Sequence, residues 1–250
     1  VKLSVFFVVL CVIKFYICKK HKMKRIVVLT GAGMSAESGI ATFRGADGMW
    51  ENHRVEDVAS PEGWEKDPEL VLEFYNQRRR QLYEVQPNEA HKALAKLESR
   101  FTVNVITQNV DNLHERAGSS QVLHLHGELN KARSTVDPEY IIDLDHWELK
   151  YGDKCPKGGQ LRPHIVWFGE EVPAMEEAVE LVAMADILMV IGTSLQVYPA
   201  AGLLYYAPEQ IPKYLIDPKA IPAYSVNNLT VIPETAVKGV APLVEKLLNK

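Results

Sequence analysis

Several clusters in this 250-residue chain combine side-chain types and spacings that chemistry could use. Gly31-Ala32-Gly33-Met34-Ser35-Ala36-Glu37-Ser38-Gly39 follows the apolar run 26–30 and would open a helix. Gly31 and Gly33 there let a backbone approach a pyrophosphate, with amides at a helix start as donors. An ordinary tight turn would use the same residues, and the third glycine, Gly39, arrives later than G-x-G-x-x-G requires. Ala41-Thr42-Phe43-Arg44-Gly45 and Gly48-Met49-Trp50 set Arg44 between glycines with Phe43 and Trp50 close by, which suits a lid over a charged ligand. Thr107-Gln108-Asn109-Val110-Asp111-Asn112 is dense in amides and carboxylates that can bind ribose hydroxyls and a carboxamide. Asn109 or Asp111 could equally cap a following helix. His124 and His126, just before Gly127, are general-base candidates because free imidazole titrates near neutrality, and only one of the two need act. In Phe74-Tyr75-Asn76-Gln77-Arg78-Arg79-Arg80, Tyr75 and Arg78 share a helix face. A phenol beside a guanidinium can grip a carboxylate. Arg79 and Arg80 read as a solvated face.

The elements that must position these groups alternate in type. Short apolar runs at 26–30, 102–107, 187–191 and 214–216 read as buried parallel strands. Helical patterns lie between and after them, at 68–83, 91–99, 175–185 and 241–248. That alternation predicts an α/β fold with a doubly wound, Rossmann-like parallel sheet. Ligands in such sheets bind beyond the carboxyl ends of the strands, where 31–39, 108–112, 192–194 and 217–218 would lie. Residues of about 130–160 break the rhythm and read as a small inserted module, and about 45–90 as a helical insertion.

Composition narrows the function classes. Apolar residues are 47% and charged residues 24%, ordinary for a globular domain. The formal charge is 28 − 32 = −4, but residues 1–22 hold five lysines and no acid, leaving 23 − 32 = −9 for residues 23–250. A body of that sign is a poor match for a phosphate backbone, so no nucleic-acid partner is expected. Cys155 is the one cysteine in 23–250, which excludes a disulfide framework and points to a reducing compartment such as the cytoplasm. The apolar run 5–13 is shorter than the roughly 20 residues a membrane span needs. Residue 1 is valine and Met23 directly precedes the first strand, so 1–22 read as a mis-assigned start, with a weak membrane anchor as the alternative. No stable membrane contact is expected unless that segment is real.

The motifs GAGMSAESGI (31–40), TFR (42–44), TQNVDNLH (107–114), HGEL (126–129), a strand HIVWFGE (164–170) and GTSLQVYPAAG (192–202) occur in sirtuin order. From Met23 onward the chain resembles the sirtuins, NAD-dependent protein-lysine deacylases. The resemblance implies NAD as cofactor and acyl-lysine proteins as substrates, with release of nicotinamide and an O-acyl-ADP-ribose and no metal in the chemical steps. It implies that Gly31, Ala32, Ser35 and Arg44 hold the diphosphate and adjacent ribose, with Gly33 and Trp50 also among the cofactor-binding residues. Gln108, Asn109 and Asp111 would line the nicotinamide and ribose pocket, and Gly192, Thr193 and Ser194 the adenosine side. Asp217 and Ala236 are weaker adenine-side assignments. His126 would be the general base. Val166 and Phe168 would line the lysine channel beside an added peptide strand. Within this family, the Y-x-x-R spacing of Tyr75 and Arg78 marks the branch that removes succinyl and malonyl groups, with Ala59 as a small pocket residue.

The chain departs from the family in lacking the two C-x-x-C pairs of a structural zinc site. Cys155 with distant His146 cannot supply about four ligands, and Ser134 and Gly158 stand where ligands would be expected. No metal is therefore expected, and the module would rest on Ile141, Ile142, Leu144, Trp147, Leu149 and Tyr151. Two other readings use the same cofactor: protein ADP-ribosyl transfer and a non-catalytic NAD sensor. The sequence leaves the oligomeric state open.

Overall fold

The computed structural model describes residues 23–41, 49–50, 52–193, 195, 198–220 and 226–249. In chain order its strands are β1 (Arg25–Thr30), β2 (Met49–Trp50), β3 (His53–Arg54), β4 (Thr102–Thr107), β5 (Val122–His124) and β6 (Gly127–Ser134). They continue with β7 (Ile141–Asp143), β8 (Leu161–Ile165), β9 (Ile187–Ile191), β10 (Lys213–Ile216) and β11 (Leu229–Ile232). The described α-helices are α1 (Val55–Val58), α2 (Pro61–Lys66), α3 (Pro68–Glu84), α4 (Glu89–Lys96), α5 (Leu113–Arg116), α6 (Met175–Ala183) and α7 (Ala236–Leu248).

β1, β4 and β9 are runs of mainly β-branched and aliphatic residues, a composition suited to strands covered on both faces. They sit in a six-stranded, all-parallel sheet of order β11-β10-β9-β1-β4-β5. Counted within this sheet alone, the order is 6-5-4-1-2-3, the doubly wound arrangement expected from the alternating pattern. Alternate residues feed opposite cores. Ile26, Val28, Val105 and Met189 pack with α4 and α7 on one face. Val27, Leu29, Ile106, Leu188 and Val190 pack with α6 and Leu203–Leu204 on the other. Val28 lies opposite both Val105 and Met189, so β1 is the register centre. α7 begins five residues before the expected 241–248 segment because Gly239 and Pro242 interrupt the apolar pattern without breaking the helix. A Cβ on Gly239 would come within 2.4 Å of Ile216 Cγ2, so glycine is what lets α7 lie against β10.

A second, antiparallel sheet of order β7-β6-β8 adjoins α3. Asp67 caps α3 through a 2.9 Å bond from Leu70 N–H, and Pro68 sets its first turn. The core under this sheet comprises Leu72, Ala132, Leu149, Cys155 and Leu161, with Ile142 and Leu144 at its margin. Three residues expected to hold the module face solvent instead: Ile141, Trp147 and Tyr151 are 44%, 37% and 62% exposed. Arg79 supplies what they do not. It is 1% exposed, and donates from Nη1 to Asn76 Oδ1 (2.8 Å) and Trp147 O (2.5 Å) and from Nε to Leu129 O (2.5 Å). Asn76 completes the clamp, donating to Leu149 O and accepting from Leu149 N–H at 3.1 and 2.9 Å. The expectation of a solvated Arg79 is thus corrected. Leu72, Tyr75, Asn76, Arg79 and Leu82 follow the 3.6-residue period, and Arg79 falls on the buried stripe.

Candidate active site at the switch point of the parallel sheet

The strand order reverses between β1 and β9, and the loops that leave their carboxyl ends interlock there. Gly31 N–H donates to Ile191 O at 3.0 Å and Gly33 N–H to Gly192 O at 2.8 Å. A Cβ on Gly33 would lie 2.7 Å from Gly192 Cα, and one on Gly192, whose φ is +61°, 2.4 Å from Met34 N. The glycines are needed for this loop-to-loop approach, before any ligand is considered. The expected helix start is also replaced: residues Ala32–Met34 and Ala36–Ser38 form two 3-10 turns.

The loop after β4 closes onto the same point. Asn109 Nδ2 donates to Gly31 O and to Ser35 Oγ, both at 3.1 Å, and Ser35 Oγ donates to Asp111 Oδ2 at 2.9 Å. Asp111 Oδ1 also accepts Leu113 N–H, the first amide of α5, at 3.1 Å, although the N-cap position itself is Asn112. Burial raises the Asp111 pKa, against the bonds from Leu113 and Ser35. Gln108 Nε2 donates to Thr193 Oγ1 at 3.3 Å, joining this loop to the one after β9. Ser38 Oγ and Asn112 Oδ1 are buried in these loops with no hydrogen-bond partner, an open polar demand.

His126 stands over the loop with Nδ1 at 3.1 Å from Gln108 O. A carbonyl only accepts, so Nδ1 carries the hydrogen, and in the neutral ring Nε2 keeps its lone pair. Burial lowers the His126 pKa, opposed by the Gln108 carbonyl. The neutral, basic form is therefore the one held at neutral pH. Arg44 and Ser194 lie outside the described residues. Trp50 stacks edge-on against Phe74 and Tyr75, at centroid distances of 4.9 and 6.3 Å. Asp217 follows β10 and its Oδ1 accepts Lys219 N–H at 2.8 Å. Ala236 is 2% exposed and its methyl packs in the core at the start of α7. Glu37 accepts Val237 N–H (2.8 Å) and the Thr235 hydroxyl (3.0 Å) at that helix start.

Tyr75 and Arg78 share one side of α3, but their polar ends point to different partners. Tyr75 is fully buried and its Oη accepts Trp167 Nε1–H at 3.1 Å. Burial pushes the phenol above its ordinary pKa, with the Trp167 bond opposing. The Arg78 guanidinium lies 4.2 Å from the Phe74 ring centroid and donates to Phe74 O at 3.3 Å. The expected strand over 164–170 is shorter than its sequence suggests. β8 stops at Ile165, and the chain turns through Gly169 at φ +89°. Val166 N–H donates to His126 O and Phe168 N–H to Ala59 O, at 2.9 and 3.0 Å. Trp167 is buried between the half-buried Val166 and the exposed Phe168, so alternate residues serve core and surface.

The Sir2 family pattern matches residues 31–199. The chain belongs to the Sir2 family. It is 57% identical over 231 residues to an NAD-dependent protein deacylase of Bacteroides thetaiotaomicron, covering 90% of this chain and 99% of that one. It is 58% identical over 229 residues to an NAD-dependent protein deacylase of Helicobacter pylori, covering 91% and 99%. Among solved structures, a Sir2 homolog–NAD complex superposes with a TM-score of 0.81 at 40% identity, covering 91% of each chain.

One network in this Sir2 chain carries no sequence signal. Glu170 accepts from Arg162 Nη1 at 2.7 Å and Nη2 at 3.1 Å, from Arg133 at 3.0 Å, and from Trp167 N–H at 2.8 Å. Arg162 lies 3.3 Å over the Trp167 ring centroid. The partners are up to 37 residues apart, and no local spacing announces them. Among the described residues, no group of three or more His, Cys, Asp or Glu could hold a metal ion. Cys155 Sγ instead accepts the Ser134 hydroxyl at 3.1 Å.

Proposed function

We propose that this Sir2 protein removes acyl groups from lysine side chains of proteins, consuming NAD and releasing nicotinamide and an O-acyl-ADP-ribose. The observation that carries the reading is His126, with Nδ1 held by the Gln108 carbonyl and a basic Nε2, above the Gln108–Asn109–Asp111 loop. When bound, NAD supplies the electrophilic ribose carbon and the group that accepts the acyl unit. The donor set suits it: amides and a carboxylate for a carboxamide and ribose hydroxyls, and two buried polar atoms without protein partners. Gly31, Ala32, Gly33, Ser35, Arg44 and Trp50 would hold the diphosphate and its ribose. Gln108, Asn109 and Asp111 would orient the nicotinamide side. Gly192, Thr193, Ser194, Asp217 and Ala236 would bound the adenosine side. His126 Nε2 then takes the proton of a ribose hydroxyl, and the preset loops supply orientation.

The acyl-lysine peptide would lie along Val166 and Phe168, which stand between the buried Ile165 and Trp167 and open solvent. We further propose an acidic acyl preference for succinyl and malonyl groups, with Tyr75 and Arg78 as the carboxylate grip. Arg78 would swing off Phe74, and the Tyr75 hydroxyl, which already accepts from Trp167, has its own hydrogen to donate. The small sheet would work without zinc, held by Asn76, Arg79 and its own apolar core. Metal analysis of purified protein tests this, since one tightly bound zinc per chain would overturn it. No described helix is long and apolar enough to cross a membrane. With its charge of −9 and single body cysteine, the 23–250 region suits a cytoplasmic enzyme without a nucleic-acid partner.

The function is tested by incubating the protein with NAD and matched succinyl- and acetyl-lysine peptides, with products resolved by mass spectrometry. Free lysine plus O-acyl-ADP-ribose is expected. An ADP-ribosylated peptide would support the transferase alternative, and no turnover with bound NAD would support a sensor.

A further inference from the structure

His124 and His126 hold consecutive carbonyls of one loop. His126 Nδ1 is 3.1 Å from Gln108 O, and His124 Nδ1 is 3.1 Å from Asn109 O. Each Nδ1 must carry a hydrogen, because a carbonyl can only accept. The other ring nitrogens differ. His124 Nε2 lies 2.7 Å from Glu115 Oε1, and its side chain is 7% exposed. An ionised carboxylate also only accepts, so both His124 nitrogens must be protonated, giving an imidazolium. The carboxylate is the acceptor here: burial pushes Glu115 up, but the His124 bond and charge outweigh it and its pKa is lowered.

The surroundings agree with a cation at this position. Glu115 and His114 face it from α5, Glu128 from β6 and Asp111 from the loop. His114 is neutral, its pKa driven well down by burial. Lys131 is the opposing cation, and its Nζ is taken by Glu128 at 2.7 Å. Against the cost of burial, Glu115 and then Glu128 raise the His124 pKa above its ordinary value.

We propose that His124 and Glu115 form a positioning pair for the NAD site. The imidazolium pins the Asn109 carbonyl, and so keeps the Asn109 amide on Gly31 O and Ser35 Oγ. The inference rests on the reading of Asn109 and Asp111 as cofactor-binding residues. His124 touches no reacting atom in this arrangement; His126 remains the base. Because the folded pKa is raised, the pair is complete below about pH 6.5 and is lost as pH rises through the folded value.

The test joins nitrogen NMR of histidine-labelled full chain, which reads the His124 midpoint in each protein, with NAD affinity by calorimetry and KM for NAD over a range of pH spanning both midpoints. His124 is assigned by the loss of its signals in His124→Gln. His124 is expected to titrate above pH 6.5 and His126 below it, and Glu115→Gln is expected to lower the His124 midpoint. The same variant should weaken NAD binding about tenfold at a pH between the two His124 midpoints, the scale of one lost charge-assisted hydrogen bond. That deficit should shrink to within about twofold below both midpoints, where both proteins hold the imidazolium, and kcat at saturating NAD should move less than about twofold throughout. A His124 midpoint below pH 6.5 in the unaltered protein, an unchanged NAD affinity in Glu115→Gln between the midpoints, or the same deficit at every pH would overturn the pair. If NAD binds with the expected pH dependence but no peptide is turned over, the pair is upheld and the deacylase reading falls.

Discussion

The carboxyl edge of the parallel sheet and the small antiparallel sheet are held by different means. At the edge, three loops meet through short polar bonds among Gly31, Ser35, Asn109, Asp111, Gly192 and Thr193, with glycine at the closest approaches. The small sheet rests on a modest apolar core and on two side chains of one helix, Asn76 and Arg79, that hold backbone groups 50 to 73 residues away. The first region is preset for ligand geometry, and the second is anchored at a few points. Damage at the edge should therefore be read in chemistry, and damage at the clamp in stability.

The largest effect is expected at the edge. His126→Ala should lower kcat by about 10²- to 10⁴-fold, the range for loss of a general base, with melting temperature and NAD affinity little changed. A parallel fall in stability would mean that His126 is part of the scaffold. At the clamp, Arg79→Met leaves the Leu129 and Trp147 carbonyls without their donor and should cost about 2–3 kcal/mol in urea unfolding. Hydrogen exchange should quicken in β6–β8 and stay slow in β1, β4 and β9. Uniform acceleration would erase the distinction between the two regions.

Arg78→Met sharpens it from the helix that serves both. Desuccinylation should fall about tenfold in kcat/KM while deacetylation holds, since one charged hydrogen-bond donor is lost from the proposed carboxylate grip. Equal losses on both peptides would remove the acidic pocket. The smallest effect concerns acid. His91 is buried against His114 at a ring distance of 4.8 Å, and burial lowers the His91 pKa to about 4. The unfolded chain binds that proton near pH 6.5, so stability should decline as pH falls from 6.5 toward 4. His91→Gln should flatten part of that decline in melting temperature, and an unchanged slope would exclude His91 as its source.

The parallel sheet was legible because each strand is a local apolar run, and the observed strands at 102–107 and 187–191 coincide with those runs. The site loops were legible because their polar residues are contiguous in Gly31–Gly39 and 107–112. Other features depend on tertiary context. Arg79 looked solvated within an arginine triplet, and only the phase of Leu72, Asn76 and Leu82 separates it from Arg80. Val166 to Glu170 looked like strand because Trp167 and Phe168 favour strands, yet Gly169 and the Glu170 carboxylate fold the segment into a turn. In the Glu170 network and the His124–Glu115 pair the ionic partners stand eight, nine or 37 residues apart on different elements, and no spacing rule reaches them.

The central claim is that a neutral His126, its Nε2 unprotonated, is the base of an NAD-dependent deacylation. It is tested most directly by the pH dependence of kcat for an acetyl-lysine peptide at saturating NAD. Because burial lowers the His126 pKa, the account predicts an ascending limb with its midpoint below pH 6.5, absent from the residual activity of His126→Ala. A midpoint above neutrality, or the same limb surviving in His126→Ala, would contradict it.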